Sequence, residues 1–339
     1  MRLRKRFKTK PLKDQVIVIT GASSGIGLTT ARLAAARGAR VVLAARNAQD
    51  LEAITNDICA RGGRAIAVPT DVSVAPAVDA LCARAPSEFG TVDTWVNNAG
   101  LSIYGKLTDV PLEDKRRLFD VNFWGVVHGC RTAVRLMRDG GGVLINLGSE
   151  VSEIAIPLQG IYSASKHAVK AYTDALRMEL EHDDVPIAVT LVKPSAINTP
   201  YPEHARNYLD EGVPALPPPI YAPEVVARTI LHCAERPVRD VVVGGSGRLQ
   251  IALGKNVPRL TDKYMKRWMF DSQKTYGRAH VDEGNLERPQ ADGRGWGPHK
   301  GHVKQSSLYT RAALSPMVKT MAFAAAGLTL AAGVRRLTA

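Results

Sequence analysis

From residue 16 to about 245, short apolar runs alternate with longer stretches whose apolar residues recur every three or four positions. The runs are VIVIT (16–20), RVVLAA (40–45), RAIAV (64–68), VDTWVN (92–97), GVLINL (142–147), IAVTLV (187–192) and DVVVGG (240–245). Most are continuously apolar, the pattern of strands covered on both faces, and the amphipathic stretches between them have the length of crossover helices. The prediction is an α/β fold in three layers, a doubly wound parallel sheet with its ligand crevice at the carboxyl ends of the strands. Residues 195–221 hold six prolines and no apolar period, which predicts a mobile loop after the sixth strand that could serve as a lid.

The pattern changes beyond about residue 255, where a basic aromatic stretch (263–276) is followed by a Gly/Pro-rich linker (289–301) and an alanine-rich end. Three parts are therefore expected: a basic arm (1–13), a central domain (14–254) and a basic extension (255–339). The net charge of +13 belongs to the ends, since residues 16–254 hold 23 basic and 25 acidic side chains. Basic ends on a near-neutral body suit attachment to an anionic surface, or simple solubilisation, more readily than a DNA-reading face, and no nucleic acid is expected. The apolar run at 16–19 is too short for a secretory segment, and the uncharged stretch Thr320–Val334 is short for a membrane span of roughly 20 residues. It suits packing on this chain or a second subunit, or shallow contact with a membrane surface. Cys59, Cys82, Cys130 and Cys233 form no CxxC pair, which favours a reducing, cytoplasmic setting. His299 and His302 lack companion ligands, so no metal is expected. Lys263, Lys266 and Arg267 alternate with Tyr264, Trp268 and Phe270, as in a membrane-surface helix or one docked on the body.

The chemistry sits at the ends of the apolar runs. After the first comes Thr20-Gly21-Ala-Ser-Ser-Gly25-Ile26-Gly27 and then a helix pattern. Glycines allow a tight turn and close backbone approach, and a helix N-terminus offers free N–H groups to a pyrophosphate. The second run ends at Ala45 and is followed by Arg46, where an acid would bind a ribose hydroxyl. A guanidinium there pairs instead with a 2′-phosphate, which points to NADP(H); a solvated loop arginine is the bland alternative. Tyr162 and Lys166 lie one helical turn apart, so a cation can favour the phenolate of a general acid/base. Ser149, just past GVLINL, can hold a substrate oxygen beside that phenol.

Together TGASSGIG, Asn97-Asn98-Ala99-Gly100, Asn122, Ser149 and YSASK occur in the order and spacing of the short-chain dehydrogenase/reductases, and residues 14–250 resemble that family. The resemblance implies a Rossmann-like fold and a catalytic tetrad of Asn122, Ser149, Tyr162 and Lys166, with Asn122 holding a water that relays protons from Lys166. It also implies a cofactor site. Gly21, Ser23, Ser24, Gly25, Ile26 and Gly27 would cradle the phosphates, and Asp71 and Val72 would border the adenine. Asn98, Ala99 and Gly100 would flank the cofactor, Tyr162 and Lys166 would reach its ribose, and Thr199 would hold the carboxamide. Two departures stand out, Pro194-Ser195 for the family's Pro-Gly and Gly148-Ser149 for the family's paired serines, with Glu150 following. The expected activity is transfer of hydride between NADP(H) and a carbonyl or alcohol carbon. The apolar 195–221 loop, with Ile197, Tyr201, Tyr208, Leu209 and Ile220, suggests a medium or bulky apolar carbonyl compound as the small-molecule partner. A homo-oligomer, dimer or tetramer, is also expected. The alternative is a catalytically idle NADP-binding sensor or scaffold, which has no reason to retain both Tyr162 and Lys166.

Overall fold

The computed structural model describes residues 8–275 and 284–315. The central sheet holds seven parallel strands: β1 (Val16–Thr20), β2 (Arg40–Ala45), β3 (Arg64–Pro69), β4 (Thr94–Asn97), β5 (Gly142–Leu147), β6 (Ile187–Pro194) and β7 (Asp240–Val243). Their spatial order is β7-β6-β5-β4-β1-β2-β3. The chain winds outward from β1 to β3 and then from β4 to β7 on the other side. The reversal therefore falls between β1 and β4, paired at Val18 and Trp95, and the crevice opens at their carboxyl ends.

Both faces of the sheet are covered, as the continuous apolar runs require. Ile17, Ile19 and Leu43 pack with Leu28 of α1 (Gly25–Ala36), Ile54 of α2 (Ala48–Ala60) and Leu231 (Pro223–Glu235). Val16, Val18 and Val42, one residue out of phase, pack on the opposite face with Leu81 of α3 (Ala75–Phe89) and Val169 of the helix Gly160–His182. In the arm, Leu12 is buried and its N–H donates to Glu235.

The 195–221 segment is tied down at three places. Arg206–Asn207 pairs with Ile103–Tyr104, Val213–Pro214 with Lys274–Thr275, and Ile220–Tyr221 with Val303–Lys304. Two of these partners lie beyond residue 255, so the described part of that stretch is packed on the central domain at Lys274–Thr275 and Val303–Lys304. The aromatic stretch docks by Met265 and Met269 against Val151, Ile154 and Ile156, while Lys263, Lys266, Arg267 and Trp268 face outward. Among the described residues no helix is long and apolar enough to cross a membrane, and no cluster of His, Cys, Asp or Glu could hold a metal. Thr320–Val334 lies outside the described residues.

Candidate active site

The glycine turn owes its shape to steric necessity. Gly21 takes a φ of +65°, and a Cβ there would come 2.8 Å from Ala99 Cα. A Cβ on Gly27 would lie 2.1 Å from the Gly21 carbonyl oxygen. Asn98 locks the turn to β4, its Nδ2 donating to the carbonyls of Thr20 (2.9 Å) and Gly21 (3.1 Å). Asn98 and Ala99 N–H groups both donate to Thr20 Oγ1. The turn can thus pack tightly against Asn98 and Ala99, with Ser23, Ser24 and Gly25 on the crevice wall at the N-terminus of α1.

Each member of the expected tetrad lines or adjoins this crevice. Ser149 caps the short turn Glu150–Ser152 at the end of β5. Tyr162 and Lys166 stand on the helix Gly160–His182, with Lys166 Nζ 5.7 Å from the centre of the phenol ring. Lys166 donates to the Leu147 carbonyl at 2.9 Å, and burial lowers its pKa to about 8. Asn122 lies in a π-turn (Asp120–Trp124) between the helices Leu112–Phe119 and Gly125–Met137, a local irregularity frequent at functional sites. Its side chain is fixed by Leu101 and Ser165, donating to the Leu101 carbonyl at 3.0 Å and to Ser165 Oγ at 3.2 Å. For Tyr162 the balance differs from the sequence argument. Burial pushes its pKa up and outweighs the Tyr201 and Ser149 hydroxyls that favour the phenolate.

At the end of the crevice beside β2 and β3, Asp71 accepts from Arg117 at 2.9 Å and from Ser73, contacts that together outweigh desolvation and lower its pKa. Val72 sits beside it in the lining, and Thr199 packs against Gly25. Arg46 is buried enough for desolvation to lower its pKa. Its guanidinium donates to the backbone carbonyls of Leu286 and Glu287, both at 3.1 Å, and to that of Asn285. Asn285, Pro289 and Gln290 join the lining of the crevice together with His204. Sequence reasoning placed every chemical residue before position 200 and gave the extension an attachment or assembly role, so these residues were missed. The Gly/Pro-rich composition of 289–301 was the one available signal, since a chain without its own helix or strand must find partners elsewhere.

Residues 15–209 match the family model of short chain dehydrogenases. The chain is a short-chain dehydrogenase/reductase. Over 337 residues it is 43% identical to the uncharacterized oxidoreductase YxnA of Bacillus subtilis, covering 98% of this chain and 94% of that relative. It superposes on a short-chain dehydrogenase/reductase from Burkholderia phymatum in complex with NAD, with a TM-score of 0.65 and 26% identity, covering 81% of this chain and all of the other. An alcohol dehydrogenase from Thermococcus sibiricus complexed with 5-hydroxy-NADP gives a TM-score of 0.59 at 26% identity, covering 67% of this chain and 95% of that one. The neighbours thus bind either nicotinamide dinucleotide. The oxidoreductase keeps the family's parallel sheet, and its match to YxnA runs well beyond the residues 15–209 that fit the family model.

Proposed function

We propose that this oxidoreductase interconverts a carbonyl and an alcohol with NADP(H), Tyr162 acting as the general acid/base. The observation that carries this reading is the convergence of Ser149, Tyr162 and Lys166 on a crevice whose other end is the glycine turn. The residues fit a dinucleotide, because the tight turn that Gly21 and Gly27 permit brings Gly21, Ser23, Ser24 and Gly25, at the N-terminus of α1, to the wall of the same crevice as Tyr162 and Lys166. Bound there, the nicotinamide supplies or takes the hydride at the substrate carbon.

In the reducing direction Ser149 donates a hydrogen bond to the substrate oxygen, and Tyr162 delivers the proton to it. The lone hydrogen bond from Lys166 to Leu147 leaves the ammonium with donors to spare, so it can stabilise the phenolate left behind. Asn122 is a positioning residue whose π-turn borders this lysine. Arg46, with no acid at the end of β2, favours the phosphorylated coenzyme. Leu101, Val151, Ile156, Tyr201 and Leu216 give the substrate side an apolar lining that supports a medium or bulky apolar carbonyl compound.

A screen of aldehydes, ketones, quinones and 3-oxoacyl compounds with NADPH and NADH in parallel tests the reading. Tyr162→Phe should bind coenzyme normally and lose turnover by roughly 100-fold or more. Activity within a few-fold of wild type would refute the acid/base assignment. An idle sensor or scaffold would bind coenzyme and turn over no member of the screen.

A further inference from the structure

The extension returns over the crevice as a strap. Leu286 is buried among core residues that include Leu101 and Val121. The backbone N–H of Asn285 donates to the His204 carbonyl (2.9 Å), that of Asp292 to Asp50 Oδ2 (3.0 Å), and that of Gly25 to the Arg294 carbonyl (2.9 Å). Further along, the Gly297 N–H donates to the Asn198 carbonyl and the Trp296 indole to Glu224. The buried Asp292 carboxylate lies 2.7 Å from His204 Nε2 and 2.6 Å from Arg294 Nε. The strap therefore bridges the glycine turn, the end of β2 and the 195–221 segment, which border the crevice on different sides. Its attachment at β2 is Arg46, whose three contacts are all to strap carbonyls.

We propose that residues 284–297 form the outer wall of the coenzyme site, with Arg46 as the joint, so that strap docking and coenzyme binding are one coupled equilibrium. This rests on the reading of the crevice as a dinucleotide site. A guanidinium carries five N–H groups, and the three carbonyl bonds use three of them. Two remain for the adenosine end of the coenzyme. Carbonyl dipoles on one side and a phosphate on the other hold the same cation without competing for the same protons. Each contact fixes the guanidinium for the other, and coupling of this kind is reciprocal. Because the strap crosses the opening, the coenzyme leaves only after the strap lifts, which places the effect in the release rate rather than in the chemical step.

Two measurements on the full chain test this. Hydrogen exchange of the wild-type protein should show NADPH slowing the amides of 285–297 by roughly tenfold or more, as expected when a ligand closes a local opening. Asp292→Asn weakens the strap at a side chain that does not itself line the crevice. It should speed NADPH release, followed by stopped-flow fluorescence, by about fivefold or more while the single-turnover rate stays within twofold. Unchanged exchange in 285–297 with NADPH bound would overturn the proposal, whatever the variant does. So would a folded Asp292→Asn protein that releases NADPH at the wild-type rate. A chain that binds neither NADPH nor NADH would fail the dinucleotide reading itself, and the strap proposal with it.

Discussion

Lys166 should make the protein less stable than it could be, and its replacement by methionine should show this. The ammonium is buried, makes a single hydrogen bond to the Leu147 carbonyl and has its pKa lowered from 10.5 to about 8 by desolvation alone. A fall of about 2.5 units is worth about 3 kcal/mol at 1.36 kcal/mol per unit, and it measures the cost of keeping the group charged in the fold. Methionine removes that cost and keeps most of the side-chain volume, but it leaves the Leu147 carbonyl unpaired at about 1–3 kcal/mol. The net expectation for the coenzyme-free protein at about pH 7 is a gain of about 0–2 kcal/mol, with activity lost. The pH dependence is the sharper signature. Between about 8 and 10.5 the unfolded chain still holds the proton that the folded chain has released, so wild-type stability rises with pH across this window. Lys166→Met lacks this rise, and its advantage should shrink by about 2 kcal/mol between about pH 7 and pH 9.5. Urea unfolding of both proteins at the two pH values, followed by circular dichroism, measures it. An offset that is the same at both values would refute the reasoning, because only a titrating lysine makes it vary.

Arg46→Ala should raise the Michaelis constant for NADPH by tenfold or more and that for NADH far less, as expected for a lost charge-assisted pair; equal effects would remove the case for the phosphate. Gly27→Ala drives a Cβ to 2.1 Å from the Gly21 oxygen, so the turn must shift. Coenzyme affinity should fall by roughly tenfold or more by equilibrium fluorescence titration, with stability down by about 1–3 kcal/mol. Burial pushes the Glu150 carboxyl up to about 7 from 4.5, so the folded chain holds a proton that the unfolded one has lost and wild-type stability falls as pH rises through that window. Glu150→Gln should therefore gain on wild type between about pH 5 and pH 8 in thermal melts, and a constant offset would show that the carboxyl does not titrate there.

The seven strands were legible because most are apolar on both faces, and the phase difference between Ile17 and Val18 shows that both faces are indeed packed. Ser149, Tyr162 and Lys166 could be singled out as candidates because their motifs are local, at a strand end and along one helix, whereas Asn122 stands in a π-turn between two other helices. What escaped was structure made without side-chain periodicity. The three pairings that hold 195–221 are two residues long, too short for any alternation to register, and two of them draw on partners beyond residue 270. The strap binds Arg46 through backbone carbonyls, which every residue carries. Arg46 itself was read as the partner of a 2′-phosphate or as a solvated loop arginine, and the sequence could not say that carbonyls of 285–287 would accept three of its hydrogen bonds.

Glu150 and Ser195, far apart in sequence, meet in space. A Cβ on Gly247 would lie 2.3 Å from both Glu150 Oε2 and Ser195 Oγ, so the glycine near the start of the helix Gly245–Asn256 makes room for the pair. The two side chains lie close enough for the serine to lower the carboxyl's pKa, yet neither oxygen completes a well-formed hydrogen bond. A buried polar atom left in that state costs about 1–3 kcal/mol, and the positive end of a helix offsets only part of it. Glu150 directly follows Ser149, and both line the crevice with Tyr162. Three positions that would each be unfavourable alone are consistent with one another here, at the wall of the site. Folds tolerate such local cost chiefly where the arrangement serves the chemistry rather than the core.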